Sequence, residues 1–241
     1  MATLSFHQLS KHYGPVTVLD GFTATALPGR VTAFLGVNGA GKTTSMRILL
    51  GLADPTSGTA TVDGARYADL PHPTRVVGAV LDQGFHPNRS ARNHIRLTAM
   101  QAGVPATTAD QLLERFGLGP AAGRRVGGFS LGMRQRLALA SALVGDPSVL
   151  VLDEPLNGLD PDGIREMRRF LRTFADAGGT VFLSSHLLSE VAAVADDLVV
   201  IHRGSLAAAG PVHDIVTDDT DLESVFHSIT HPTHTEQEAW S

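Results

Sequence analysis

The chain of 241 residues contains no cysteine. This absence excludes disulfide bonds, thiolate zinc sites, iron–sulfur clusters and cysteine nucleophiles, and it fits a reducing compartment such as the cytosol. No apolar run approaches the roughly 20 residues needed to span a bilayer, and residues 1–14 lack the apolar core of a signal peptide. We therefore expect that the chain does not cross a membrane by itself.

Positive charge is also scarce, with 19 Lys and Arg against 24 Asp and Glu and a net charge of −5. This balance disfavours a general nucleic-acid binder, which needs basic surface to neutralise phosphates. Hydrophobic residues make up 43% of the chain and charged residues 18%, which argues against disorder. A chain of this length should bury roughly 70% of the surface that its unfolded form exposes, so a substantial core is available.

Short apolar runs rich in β-branched residues predict buried strands. These runs are Val31–Leu35, Val76–Leu81, Val149–Leu152, Thr180–Leu183 and Asp197–Ile201. Because they are apolar throughout, we expect strands covered on both faces, as in a parallel sheet flanked by helices. The N-terminal segments Phe6–Leu9, Thr17–Asp20 and Gly21–Ala26 are shorter and partly alternating, which predicts an antiparallel edge.

Start and stop signals predict helices between these strands. The predicted helices are one that begins inside the GAGKTT stretch and runs to Leu50, Ala91–Ala102 after a Ser90 cap, one from Thr108 or Asp110 to about Gly117, Ser130–Leu143, and Pro161–Phe174 after Asp160. The mostly helical region of about 83–145 interrupts the strand–helix alternation. We expect one domain over residues 1–229 with this region inserted, and a loose polar tail over residues 230–241.

A glycine-rich segment between the first parallel strand and the first helix matches the pattern G-x-x-x-x-G-K-[ST]. Its candidate nucleotide-binding residues are Gly36, Asn38, Gly39, Ala40, Gly41, Lys42, Thr43 and Thr44. Glycines let backbone N–H groups turn toward phosphate oxygens, and the helix N-terminus favours an anion. In this pattern Lys42 can reach the β- and γ-phosphates of a nucleotide, and the Thr43 hydroxyl can ligate Mg²⁺. The alternative is a glycine-rich turn with an accidental lysine, which the flanking strand and helix disfavour.

Two carboxylates, Asp153 and Glu154, end the apolar strand Val149–Leu152. Ligand sites collect at such strand ends in parallel sheets. Asp153 is a candidate Mg²⁺ ligand, directly or through water, and Glu154 a candidate base for the water that attacks the γ-phosphate. Two solvated acids are the alternative, but the upstream phosphate loop favours a nucleotide site.

Three further motifs complete an ordered set: Phe129–Leu137 (FSLGMRQRL), Leu159-Asp160 and Ser184-Ser185-His186. With the phosphate loop and the acidic strand, the chain here resembles the nucleotide-binding subunit of ATP-binding cassette (ABC) transporters over about Leu4–Phe226. The resemblance implies an α/β P-loop NTPase fold of ABC type. That fold has a mostly parallel sheet core, an N-terminal antiparallel β portion and an inserted helical subdomain, and its ligands are ATP and Mg²⁺.

The resemblance also assigns roles to single residues. Ser130 and Gly132 match the signature motif, which binds the γ-phosphate held by the opposing subunit, although three of its five usual letters differ here. His186 matches the switch histidine that contacts the γ-phosphate and acts with Glu154 and Lys42 in catalysis. Asp160 matches the D-loop aspartate, which links the two active sites of a dimer. Serine and aspartate are also common helix N-caps, so a purely structural role as the cap of the following helix stays open for Ser130 and Asp160.

Two further assignments are less complete. Tyr13 resembles the aromatic residue that stacks on adenine, against a core or surface role. The family's Q-loop glutamine falls at Asp82, with Gln83 next to it, so either the loop shifts by one residue or an acid takes that role.

By resemblance, the chain is expected to be the ATP-binding and ATP-hydrolysing subunit of an ABC transporter, and it resembles the ATPases of ABC-2-type drug and antibiotic exporters. Two copies, or this chain and a homologue, would close around two ATP molecules on the cytoplasmic face of the membrane. Closure would drive a separate transmembrane permease subunit, and no nucleic-acid partner is expected. The alternatives are a non-transport ABC ATPase that acts on ribosomes or DNA, and a P-loop kinase that phosphorylates a small molecule.

Overall fold

The computed structural model of the chain describes residues 2–81, 84–186, 188–216 and 222–230. The strands in these ranges are β1 (Leu4–Tyr13), β2 (Val16–Ala26), β3 (Val31–Leu35), β4 (Ser57–Val62), β5 (Val77–Val80), β6 (Val149–Leu152), β7 (Thr180–Ser185), β8 (Asp197–His202) and β9 (Ser205–Pro211). The α-helices are α1 (Lys42–Leu49), α2 (Pro73–Val76), α3 (Ala91–Gln101), α4 (Ala106–Arg115), α5 (Leu131–Ala142), α6 (Pro161–Asp176), α7 (Leu188–Ala192), α8 (Val212–Ile215) and α9 (Leu222–Thr230).

The larger sheet has six strands in the order β5-β6-β7-β3-β8-β9. Its neighbouring strands pair in parallel except for the antiparallel pair β8–β9. Every residue of β3, β6 and β7 is buried, as their continuous apolar composition predicts. The expected α/β class with a mostly parallel core is confirmed.

A second sheet is antiparallel, with the order β2-β1-β4. Its first two strands are longer than the three short N-terminal segments that the sequence suggested. The register between β1 and β2 shifts at three points, and Gln8 has a positive φ of 47° within one of them. Each bulge interrupts the alternation of inward and outward side chains, so the sequence pattern divides one strand into fragments.

Three element boundaries also differ from the sequence expectations. The strand expected over Val76–Leu81 is β5, shortened because the preceding residues form the helical turn α2. Helix α4 starts at Ala106, after Pro105, rather than at Thr108 or Asp110. The expected start assumed a capping side chain, but no side chain caps the first turn of α4. Thr230 belongs to α9, while residues 231–241 of the expected tail lie outside the described part of the chain.

The core lies on both faces of the larger sheet. On one face, four phenylalanines join the two sheets, with ring centroids 5.0–5.5 Å apart: Phe6, Phe22, Phe34 and Phe182. On the other face, α5, α6 and α7 pack against the parallel strands. A third apolar cluster joins α3, α4 and α5, the helices between β5 and β6. Within the described residues, no helix is both long and apolar enough to cross a membrane.

Two buried threonines on neighbouring strands offer a matched test of core energetics. Thr32 in β3 and Thr180 in β7 are both fully buried. The Thr180 hydroxyl donates to the carbonyl oxygen of Ala2 at 2.5 Å, whereas the Thr32 hydroxyl has no hydrogen-bond partner among the residues that the structure describes. A buried hydroxyl without a partner costs about 1–3 kcal/mol.

We predict that Thr32→Val raises the free energy of unfolding by about 1 kcal/mol. Valine has nearly the shape of threonine but lacks the unpaired hydroxyl. Thr180→Val should instead lower the free energy of unfolding by about 1–3 kcal/mol, because the Ala2 carbonyl loses its donor. Urea unfolding of both variants measures the two changes. Equal destabilisation by the two substitutions would contradict the assignment.

Candidate functional site

The phosphate loop connects the end of β3 to the start of α1. Residues 37–39 form its exposed tip, while Gly36, Ala40 and Gly41 are buried. Gly41 has a φ of +110°, and a Cβ atom there would lie 2.6 Å from Leu19 Cδ2. Gly39, at φ +80°, faces open space. The loop therefore needs glycine at Gly41 both for its backbone angle and for close packing.

Lys42 lies at the start of α1 and is only 7% exposed. Its ammonium donates to the carbonyl oxygens of Gly36, at 2.6 Å, and Val37, at 3.4 Å. Burial lowers the pKa of Lys42 from its usual value, and the nearby carboxylates of Glu154 and Asp153 oppose that shift. The loop thus holds a buried cation whose partners within the loop are neutral carbonyls, which suits it to an anionic ligand.

Asp153 follows β6 and connects to two other elements through its carboxylate. Thr43 in α1 donates its hydroxyl to Asp153 Oδ2 at 2.6 Å. Ser184 in β7 donates to the other oxygen, Oδ1, in a very short hydrogen bond. The Asp153 N–H donates to the carbonyl of Val80 in β5 at 2.7 Å. The predicted pair of Thr43 and Asp153 is therefore in direct contact.

Glu154 lies beside Asp153 and faces His186. Oε2 of Glu154 lies 2.7 Å from Nδ1 of His186 and also accepts the His186 backbone N–H at 3.3 Å. The donor in the contact between Nδ1 and Oε2 depends on the tautomer of the ring, whereas in the backbone contact the N–H of His186 donates. Glu154 has a positive φ of 51°, a strained angle for a residue other than glycine. Its backbone N–H donates to Ser184 Oγ at 2.9 Å.

The signature and D-loop candidates lie elsewhere. Ser130 caps α5 by accepting the N–H of Met133 at 3.2 Å, and Asp160 caps α6 by accepting the N–H of Gly163 at 2.8 Å. Both residues, with Gly132, line a groove of about 880 Å³ between the ends of α4 and α5 and helix α6. The residues that line this groove include none from the phosphate loop. Both N-cap roles that the sequence left open are confirmed.

The remaining candidates are less constrained. Tyr13 ends β1 and is 53% exposed, with the Lys11 ammonium 4.7 Å from its ring centroid. The Lys11 ammonium thus lies over one face of the Tyr13 ring, and the side chain remains accessible. Asp82 and Gln83, the two Q-loop candidates, lie outside the described residues.

Sequence reasoning missed Ser184, although it noted the Ser-Ser-His segment. The parallel pairing of β6 with β7 matches Leu152 with Leu183, which brings the following residues, Asp153 and Ser184, side by side. The signal was therefore the position of a serine one residue beyond an apolar strand. Its meaning depends on a pairing register that the sequence alone does not state.

The sequence matches the family described as "ABC transporter" over residues 19–157. A bacitracin transport ATP-binding protein of Bacillus licheniformis is 42% identical over 82% of this chain and 66% of its own length. A Nod factor export ATP-binding protein of Ralstonia nicotianae is 35% identical over 92% of this chain and 71% of its own.

Among solved structures, one described as the ATP binding subunit of an ABC transporter superposes with a TM-score of 0.85. The two sequences are 28% identical, and the superposition covers 94% of this chain and 98% of the solved chain. The chain therefore belongs to the ABC transporter family, as an ATP-binding subunit whose enzymatic activity is ATP hydrolysis.

Proposed function

We propose that this chain is the ATP-hydrolysing subunit of an exporter, with Glu154 as the base that activates the attacking water. The observation that carries this proposal is the direct contact between the Glu154 carboxylate and the His186 ring at 2.7 Å, beside the Thr43–Asp153 pair. A base must lie within reach of the proton it takes, and here it is held in place by a second group.

ATP binding falls to the phosphate loop. The exposed backbone of residues 37–39 and the N-terminus of α1 receive the phosphates, and Lys42 moves its hydrogen bonds from loop carbonyls to phosphate oxygens. Tyr13 offers its ring for stacking on adenine. Asn38, Ala40 and Thr44 complete the loop as backbone or hydroxyl donors.

The residues present fit Mg²⁺. The hydroxyl of Thr43 and the carboxylate of Asp153 lie 2.6 Å apart and are hard oxygen donors, which this ion prefers alongside phosphate oxygens and water. When bound, Mg²⁺ neutralises charge on the phosphates. The protein's own contribution is to hold these two oxygens together at the ends of α1 and β6.

In the hydrolytic step, water attacks the γ-phosphorus and its proton passes to the Glu154 carboxylate. The bond between the γ-phosphorus and the β–γ bridging oxygen breaks, which releases ADP and phosphate. His186 fixes the orientation of that carboxylate through the Nδ1 contact, and its second ring nitrogen, Nε2, is proposed to donate to the γ-phosphate. Lys42 stabilises the negative charge on the transferred group.

Ser130, Gly132 and Asp160 are proposed to act across a dimer. They line one groove apart from the phosphate loop, so two chains arranged head to tail would bring the α5 N-terminus of one to the ATP of the other. Either two copies or a homologue would supply the second half. Residues 1–229 are proposed to form this cassette, with region 83–145 as its helical subdomain.

Export through a separate membrane subunit is supported by the names of the two relatives, one for bacitracin transport and one for Nod factor export. We place the chain on the cytoplasmic face of the membrane, bound to that subunit. The net charge of −5 supports a protein partner over nucleic acid.

We predict that Glu154→Gln lowers ATP turnover by at least about 100-fold, because the amide cannot take a proton from water. ATP binding should persist, since the phosphate loop is unchanged. Steady-state ATPase assays and nucleotide binding test this pair of results. Glu223→Gln, which removes one exposed carboxylate from α9, is the control and should behave as wild type. Undiminished turnover in Glu154→Gln would refute the assigned base.

The signature assignment has a matched control in Ser90, which caps α3 with the same 3.2 Å geometry as Ser130 caps α5. Both Ser130→Ala and Ser90→Ala should cost about 1 kcal/mol of stability through loss of the cap. Only Ser130→Ala should also lower ATP turnover, by about 100-fold, because a donor to the transferring phosphate is lost. Matching turnover in the two folded variants would leave Ser130 with its cap role alone.

The membrane partner is tested by purifying the tagged chain from detergent-solubilised membranes of its own cells. We expect a polytopic membrane protein to copurify in stoichiometric amount and to raise ATP turnover when reconstituted with the chain. Recovery of ribosomes or DNA without such a protein would favour the non-transport alternative.

A further inference from the structure

The hydroxyl of Ser184 acts as a donor to one acid of the candidate site and as an acceptor from the other. It is fully buried at the end of β7. Its O–H donates to Asp153 Oδ1, and its oxygen accepts the backbone N–H of Glu154 at 2.9 Å. One buried hydroxyl therefore bridges the side chain of one acid and the backbone of the next.

The carboxylate of Asp153 is divided between two hydroxyls of different character. Oδ2 accepts from Thr43, which is exposed and lies in the phosphate loop helix. Oδ1 accepts from Ser184, which belongs to a strand buried along its whole length. If the Thr43 oxygen turns to Mg²⁺, Ser184 is the contact that keeps the Asp153 carboxylate plane fixed.

The backbone of Glu154 needs support at the same point. Its φ of 51° lies in the left-handed region, which costs a residue with a side chain of order 1–2 kcal/mol. Such an angle persists only where surrounding contacts hold it, and the Ser184 oxygen receives the N–H of this residue. The position from which the Glu154 carboxylate reaches His186 thus depends on the same hydroxyl.

We infer that Ser184 is a positioning residue that sets the orientation of Asp153 toward Mg²⁺ and of Glu154 toward the attacking water together. This inference rests on the proposed function of those two acids. Groups that orient a metal ligand from behind usually change metal affinity or activity by about 10–100-fold when removed.

The test compares Ser184→Ala with wild type in three measurements on the full chain. We expect kcat for ATP hydrolysis to fall about 10–100-fold with KM changed much less, since the phosphate loop is intact. In the ATP complex, Mn²⁺ affinity measured by electron paramagnetic resonance should fall about 10-fold or more. ATP binding in EDTA should stay within about twofold of wild type, a result that general loss of structure would not give.

Two further substitutions keep the test decisive. Ser184→Thr retains the hydroxyl and should recover most of the lost turnover and Mn²⁺ affinity. Ser184→Cys fills nearly the same space with a weaker donor and should be intermediate, and it serves if the alanine variant does not fold. Ser141→Ala is the control, because the Ser141 hydroxyl donates only to a helix carbonyl, that of Leu137 at 2.8 Å.

The outcomes distinguish failure of the positioning role of Ser184 from failure of the proposed role of Glu154 as base. If Glu154→Gln abolishes turnover while folded Ser184→Ala or Ser184→Cys keeps both kcat and Mn²⁺ affinity within twofold of wild type, the inference is overturned and the proposed function stands. A folded Ser184→Thr variant as impaired as Ser184→Ala would also overturn it. Undiminished turnover in Glu154→Gln overturns the proposed function itself.

Discussion

The parallel pairing of β6, β7 and β3 is the constraint on which the site depends. In this register Leu35 pairs with Ser185, and Leu152 pairs with Leu183, so three strands end together at one edge. The phosphate loop, the two acids and the Ser-Ser-His segment all begin there. A shift of one residue in any pair would turn each side chain to the opposite face of the sheet. The contacts among Thr43, Asp153, Ser184, Glu154 and His186 are therefore a consequence of strand registration.

The apolar core stabilises this strand register, although the site contains a strained backbone angle at Glu154 and a buried charge at Lys42. Four phenylalanines in ring contact couple the antiparallel sheet to the strands that carry the loop and the histidine segment. The rings of Phe34 in β3 and Phe182 in β7 are stacked, with their centroids 5.0 Å apart. Aromatic pairs of this kind contribute about 0.5–1.5 kcal/mol each beyond burial. The strained backbone of Glu154 and the buried charge of Lys42 thus follow strands that pack against this core.

Local patterns predicted much of this arrangement, and pairings between distant segments account for the rest. The phosphate loop and the strands β3 and β6 were readable because each signal lies within about ten residues. The length of β1 could not be predicted, because bulges around Gln8 break the alternation of its side chains. The contact of Ser184 with Asp153 could not be predicted either, because the two residues lie 31 positions apart in sequence. A cap-free helix start such as that of α4 leaves no side-chain signal to read.

The cap roles of Ser130 and Asp160 are compatible with the roles that we propose for them across a dimer, because the two kinds of role use different atoms. Ser130 receives the Met133 N–H on an oxygen lone pair, which leaves its own proton available to donate to an anion. Asp160 receives the Gly163 N–H on Oδ1, and Oδ2 makes no contact in that cap. A side chain can therefore begin a helix within one chain and leave a second atom for the hydrogen bond that we propose with another chain. Because the cap fixes the rotamer in advance, less entropy is lost in making a second contact.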